Sequence, residues 1–322
     1  MRAASFAWIL LVAFSFPAAA QTPSASPKII KLASTATGAS LSPTADRIAV
    51  LGNDKKLRVL NIADGNTLRT IDLQVTELDR LTLSPGGSWI LAGDHLGNVA
   101  VWNAVAGKKQ FELHLAHYPG PAAFSRDGKL VAITPESQPA QIFDLASGHE
   151  ISATAAVTGG VQAIAFSRDG SQLATADSST AIRIYDTRTG KLIAQNNDFL
   201  LEPLAVEFTA DGKQVIASGA DKVIVFLDAA SGKLIRKLPK LNQPVSWSSL
   251  SVSPDGKFFA AILMIAEDLT RPRAVAIWDV STGEKQFEWT PPAVHTDIAW
   301  TSDNHLILVG VEEDSLKIWQ IR

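Results

Sequence analysis

A chain of 322 residues, 46% hydrophobic and 19% charged, has the balance of a soluble globular protein that can bury a large core, which excludes disorder as its default state. Its 29 Lys and Arg against 32 Asp and Glu leave a formal net charge of −3, without the clustered cations on which nucleic-acid affinity rests. No cysteine is present, so disulfides, thiolate metal sites, a cysteine nucleophile and a lipidated N-terminal cysteine are excluded.

The first segment has the pattern of a secretory signal. Arg2 supplies a positive end, Phe6 to Phe16 an apolar run of eleven, and Ala18, Ala19 and Ala20 a small-residue cleavage site before Gln21. Eleven residues fall short of the roughly 20 that cross a bilayer, so cleavage between Ala20 and Gln21 is expected, with export to the periplasm or the exterior. No later segment is apolar for long enough to span a membrane. Residues 21–27, "QTPSASP", form a short flexible leader, and residues 28–322 form the folded domain.

From residue 40 onward one unit recurs seven times. "LSPTADRIAVLGNDKKLRVLNIADG" opens the series, and "FSRDGSQLATADSSTAIRIYDTRTG" and "VSPDGKFFAAILMIAEDLTRPRAVAIWDVSTG" are later copies. Ser42, Ser84, Ser125, Ser167, Thr209, Ser253 and Thr301 mark equivalent positions about 42 residues apart. In six copies the distance from this residue to the polar residue ending the next apolar run is 19; from Ser253 to Asp279 it is 26. The stretch "MIAEDLTRPRAV", 264–275, carries the excess.

Runs of four to seven residues rich in Val, Ile, Leu, Thr and aromatics, separated by D-G, G-G and T-G turns, predict strands and tight hairpins. In the fourth copy "VQAIAFS", "QLATA", "AIRIYD" and "KLIAQ" make strands a, b, c and d. Seven such units predict an all-β, seven-bladed β-propeller of four-stranded antiparallel blades.

The segments "AIWDVSTGE", "IRIYDTRTGK" and "LKIWQI", with "FSRDG" and "VSPDGK" upstream, resemble the WD-repeat family over residues 28–322. The resemblance implies a seven-bladed propeller that acts as a binding platform rather than an enzyme. No copy contains the family's Gly-His pair, and its Asp between strands b and c persists mainly as Asp54 and Asp221. Exported bacterial propellers of the TolB type share "SPDGK"-like turns and are the more distant alternative.

The last copy stops after strand c, while "KIIKL" at 28–32 precedes the first copy and resembles the strand d "KLIRKL" at 233–238. The segment at about 28–33 is therefore expected to complete the last blade and close the ring.

Trp102, Phe143, Tyr185, Trp278 and Trp319 share one position of strand c and are expected to pack between blades. The Asp and Gly of the "SRDGK" and "DxxTG" turns answer the demands of hairpin geometry, without a calcium-ligand run. His114 and His117 lack an evident third ligand, so no metal is expected, and no cofactor. Glu207 stands two residues before the marker Thr209, where the other copies carry Ser40, Thr82, Ala123, Ala165, Ser251 and Ala299. It is the candidate residue of the central channel, as a structural charge or as a ligand contact.

Strand order puts the a–b and c–d turns on one face and the variable b–c and d–a connections on the other, where binding on a rigid scaffold usually resides. On that face Phe199, Leu200, Trp247 and Trp289 are candidate apolar anchors, and Arg271 and Arg273 candidate partners for carboxylates; burial of these aromatics at blade junctions is the competing reading. The expected function is non-catalytic binding of a protein or peptide by a monomeric propeller. A hydrolase or lactonase-like enzyme with its site at the channel is the alternative.

Overall fold

The computed structural model describes residues 26–73, 78–115, 118–157, 159–264, 273–292, 297–312 and 314–321, the side chains of 247 and 248 excepted. They build seven antiparallel sheets of four strands each, in simple consecutive order in six of them. The innermost strands are Ala36–Leu41, Arg80–Leu83, Pro119–Phe124, Val161–Phe166, Pro203–Phe208, Val245–Val252 and Asp297–Trp300, one for each of blades 1 to 7. No helix among the described residues is long and apolar enough to cross a membrane.

Each blade presents two faces, so the middle strands are apolar throughout rather than alternating. In blade 4, Gln172–Asp177 is buried at five consecutive positions after the first. Side chains from the two faces meet those of the neighbouring blades in seven buried clusters, one for each junction. One of them joins Ala174, Ala176 and Ile184 of blade 4 to Val206, Val215 and Leu227 of blade 5. The strand-c aromatics occupy these junctions as expected: Phe143, Tyr185, Trp278 and Trp319 are buried, and Trp102 is partly so. Trp278 lies flat on Phe259, with ring centroids 5.0 Å apart and an interplanar angle of 8°.

The recurring Ser or Thr is the hinge of the a–b hairpin. The hydroxyls of Ser125, Ser167, Thr209 and Ser253 donate to Asp127, Asp169, Asp211 and Asp255 at 2.7 Å. The same oxygens accept the amide N–H five residues on, at 2.9, 2.9, 3.1 and 3.0 Å. A buried hydroxyl left unpaired would cost about 1–3 kcal/mol, so a fully engaged one can recur at no penalty. The third residue after the hydroxyl has positive φ in each of these turns, and Gly128, Gly170, Gly212 and Gly256 supply it. Blade 7 uses Asn304 at φ 63° instead, a residue that tolerates the left-handed region. These bonds hold the turn aspartates Asp127, Asp169 and Asp211 below the ordinary carboxylate range.

The ring closes between the two ends of the chain. Strand Lys28–Lys31 pairs antiparallel with Ser315–Ile321, with Lys28 opposite Ile318 and Lys31 opposite Ser315. It takes the outer place in the last blade. Ile30 anchors it by packing among Ile62 of blade 1 and Leu316 and Ile318 of blade 7.

Deletion of residues 28–33 is expected to lower the melting temperature sharply, and Ile30→Ala to cost about 2–4 kcal/mol in denaturant unfolding. An unchanged melt of the deleted chain would show that the seam carries no stability.

Candidate functional site

Because the Ser/Thr hinge fixes the a–b hairpin, the residue directly after it sits at the rim of the central channel. That residue is Pro43, Pro85, Arg126, Arg168, Ala210, Pro254 and Ser302 in blades 1 to 7. Arg126 and Arg168 thus bring two guanidiniums to one side of the rim. With the inner-strand ends of blades 1 to 6 they border a cavity of about 240 Å³, whose lining also includes Glu207 and Thr82.

Arg168 reaches from blade 4 to blade 6, where its Nη1 donates to the carbonyl of Pro254 at 2.9 Å. Arg126 makes no hydrogen bond or ion pair among the described residues. Its side chain is exposed overall, but desolvation of the guanidinium at the cavity rim and the neighbouring Arg168 charge pull it below its ordinary value, opposed by Glu207. Two like charges are therefore held close together over a partly enclosed space.

Glu207 faces the same space from blade 5. It keeps some accessible surface toward the cavity, yet its carboxyl is surrounded by protein, and this burial raises it from 4.5 to about 7. The amide of Phe208, which donates to its Oε1 at 3.0 Å, and the Arg126 charge oppose the rise. A second inner-strand acid, Asp297 of blade 7, is raised by burial to about 6 while accepting the amide of Leu41 at 2.9 Å. Near neutral pH Glu207 is therefore only part ionised, whereas Asp297 is mostly ionised.

The opposite face differs from expectation in several places. Phe199 is 7% exposed and belongs to the junction of blades 4 and 5, where its ring fills the space left by Gly219, so it is a packing residue and not a surface anchor. Trp289 is half-buried and meets Trp319 edge to face at 6.1 Å, which likewise places it between blades. Trp247 lies on the inner strand Val245–Val252 rather than in a loop, and its side chain is outside the described residues. Arg273 is half-buried and its Nη1 donates to Ser246 Oγ at 3.4 Å. Arg271 and most of the 264–275 stretch lie outside the described residues, as do Ala20, Gln21 and His117. Leu200 alone stands at the surface as expected, 81% exposed, and Leu201 beside it is 52% exposed.

The b–c hairpins are tied by charge pairs. Asp54 accepts from Arg58 and from Ser34 Oγ at 3.1 Å, and Asp177 pairs with Arg183. Asp221, the other aspartate singled out from sequence, keeps a buried Oδ1 that has no partner among the described residues. His114 Nδ1 lies 2.8 Å from Asn98 Oδ1, and Asn98 is in turn bound to Asp94. Among the described residues no group of three His, Cys, Asp or Glu could hold a metal ion.

Sequence reading singled out Glu207 but missed Arg126, Arg168 and Asp297. The signal for the arginines lay in one column of the repeat: two adjacent copies place a cation where the others place Pro, Ala or Ser.

Residues 144–186 match the family model described as WD domain, G-beta repeat. The matched stretch runs from the end of strand c in blade 3 to the end of strand c in blade 4. It thus spans one outer strand and the three inner strands of the next blade. The other six copies repeat its hinge and its four-stranded plan. No curated protein matches the chain.

A carboxyl raised on folding contributes stability below its ordinary value and loses that contribution as pH rises through the raised one. Stability is therefore expected to fall as pH rises from the ordinary carboxylate values, with the loss from Asp297 complete near 6 and that from Glu207 near 7. Glu207→Gln should abolish the later part and leave the protein about 1–3 kcal/mol more stable than the wild type at pH 8. Urea unfolding at each pH checks the sign.

Proposed function

Since the chain is a seven-bladed β-propeller of the WD-repeat family, we propose that it is an exported, non-catalytic scaffold that binds a protein or peptide on the face of its b–c and d–a connections. The observation that carries this reading is the pair Leu200 and Leu201. Two adjacent leucines, 81% and 52% exposed, crown a d–a connection whose root is fixed by the buried Phe199. An apolar tip on an anchored loop meets a partner with little ordering cost, because its backbone is already held.

Non-catalytic binding fits the cavity on the other face as well. Glu207 is the one acid in its lining and has arginines as its charged neighbours, whereas hydrolysis by carboxyl groups generally requires an acid and a base, or an activated nucleophile. One observation favours the channel-enzyme reading: a carboxyl near 7 is suited to proton transfer at neutral pH. A broad hydrolase screen in which Glu207→Ala abolishes turnover would establish the enzyme and displace the scaffold.

Export is proposed from the N-terminal pattern alone, and a mature chain beginning at Gln21 in the exported fraction is the expected result.

The double variant Leu200→Asp, Leu201→Asp is expected to lose at least tenfold in recovery of crosslinked partners from that fraction, with its melting temperature within a few degrees of wild type. Equal recovery would move the binding face elsewhere.

A further inference from the structure

The rim of the channel on the a–b face carries two arginines over a cavity. We propose that Arg126 and Arg168 bind the carboxylate of a small organic acid or of a chain terminus, with its short apolar body directed into the cavity beneath them. This site lies on the face opposite the scaffold's partner surface and does not depend on that reading.

The hinge chemistry makes the placement of the two cations deliberate in a physical sense. Each follows a pinned Ser, so its Cα is fixed, and the side chain can lie across the rim or out into solvent. Arg168 lies across, secured by the Pro254 carbonyl two blades away. A guanidinium has five donors, and one bond to a carbonyl leaves most of them unused. Arg126 has all of its donors free of partners among the described residues. Repulsion between the two cations is relieved when an anion sits between them.

The neighbouring acids offset the pair without bonding to it. The turn aspartates Asp127, Asp169 and Asp211 accept from their own hinge hydroxyls. Glu207 is the remaining acid, and burial leaves it only part ionised near neutral pH. Protonated, it becomes a donor that adds to the guanidiniums rather than a competitor for them.

The class of ligand follows from charge and size. The two guanidiniums are set against a part-ionised Glu207 and the ionised turn aspartates beside them, which suits a monoanion better than a dianion. The lining includes the apolar Ala123, Ala165, Phe166 and Val252 beside the hydroxyls of Thr82 and Ser251. At about 240 Å³ the space is smaller than the roughly 300–1,000 Å³ of drug-sized sites, and takes a short hydrocarbon body or the last residue of a chain.

Ligand binding is expected to depend on pH through the groups that face Glu207. Arg126 from blade 3 is the charge acting on it, and Arg168 from blade 4 acts on Arg126. Blades 2 and 6 contribute the uncharged Thr82 and Ser251 to the same lining. An anion favours the protonated carboxyl, so affinity should fall as pH rises through about 7.

The test is calorimetric titration of the purified full-length mature chain with sodium butyrate, at pH 6 and pH 8, with inorganic phosphate as the comparison. Saturable butyrate binding that is tighter at pH 6, and at least tenfold weaker in Arg126→Ala and in Arg168→Ala, is the expected result. Both arginines are exposed, so both variants should fold, and unchanged melting temperatures would establish that. Glu207→Gln should bind equally at the two pH values. A tripeptide that displaces butyrate with a free C-terminus but not when amidated would identify the ligand as a chain terminus; a tripeptide inert in both forms would identify it as a free acid. Absence of butyrate binding, binding indifferent to both arginine substitutions, or saturable binding of phosphate alone would overturn the proposal.

Discussion

The structure depends on a hydroxyl that is buried, doubly bonded and repeated. Each hinge Ser or Thr donates to one group of its own turn and accepts from the amide that starts the next strand. This fixes the angle at which strand a leaves strand b. A propeller has no central core to correct such an angle: each blade touches only its neighbours, and errors would accumulate around the ring. With the hinge fixed, the residue after it reaches the channel rim and the residue two before it reaches the channel wall. The positions of Arg126, Arg168 and Glu207 are consequences of that one bond pattern.

Those consequences divide the molecule into two chemically distinct ends. On the a–b side the aspartates are held ionised by hydroxyl and amide donors, so their charge is committed to the turns. Channel acids experience the reverse, since burial without a cation in contact favours the neutral form. On the b–c side carboxylates are instead matched by arginines, as in Asp54 with Arg58 and Asp177 with Arg183. The longer connection of blade 6 springs from Leu263 and Ala274, which remain directly paired, so its extra length leaves the sheet register undisturbed. The closure entropy of such an extension is only about 1 kcal/mol.

Much of this was legible in the sequence because it is periodic. The hinge residues, the turn glycines and the strand-c aromatics recur at a fixed spacing, and a fourth strand missing at one end and extra at the other revealed the closure. Glu207 was legible as one carboxylate in a column of small residues. Arg126 and Arg168 were hidden by familiarity, since "SRDG" describes a satisfactory turn whatever its second residue does. The failures on the variable face have another cause. Whether Phe199 points outward depends on the empty space at Gly219, twenty residues away, and Trp289 on the position of Trp319, thirty residues away. Neither relation has a period, so neither could be counted.

The seam between the two chain ends has a kinetic side. Lys31 and Asp314 meet across a sequence separation of 283, and the strand carrying Lys31 has no sheet to join until residues 315–321 are in place. Contacts of such long range form slowly, because the chain entropy they cost must be lost before they stabilise anything. Blades 1 to 6 are complete from local sequence, so the ring can assemble as an open arc whose last act is to capture its own beginning. During that interval strand Ser315–Ile321 presents an unpaired edge, and the first blade presents an uncovered apolar face. The lifetime of that arc, rather than the stability of the finished ring, sets how far the chain is exposed to aggregation while it folds.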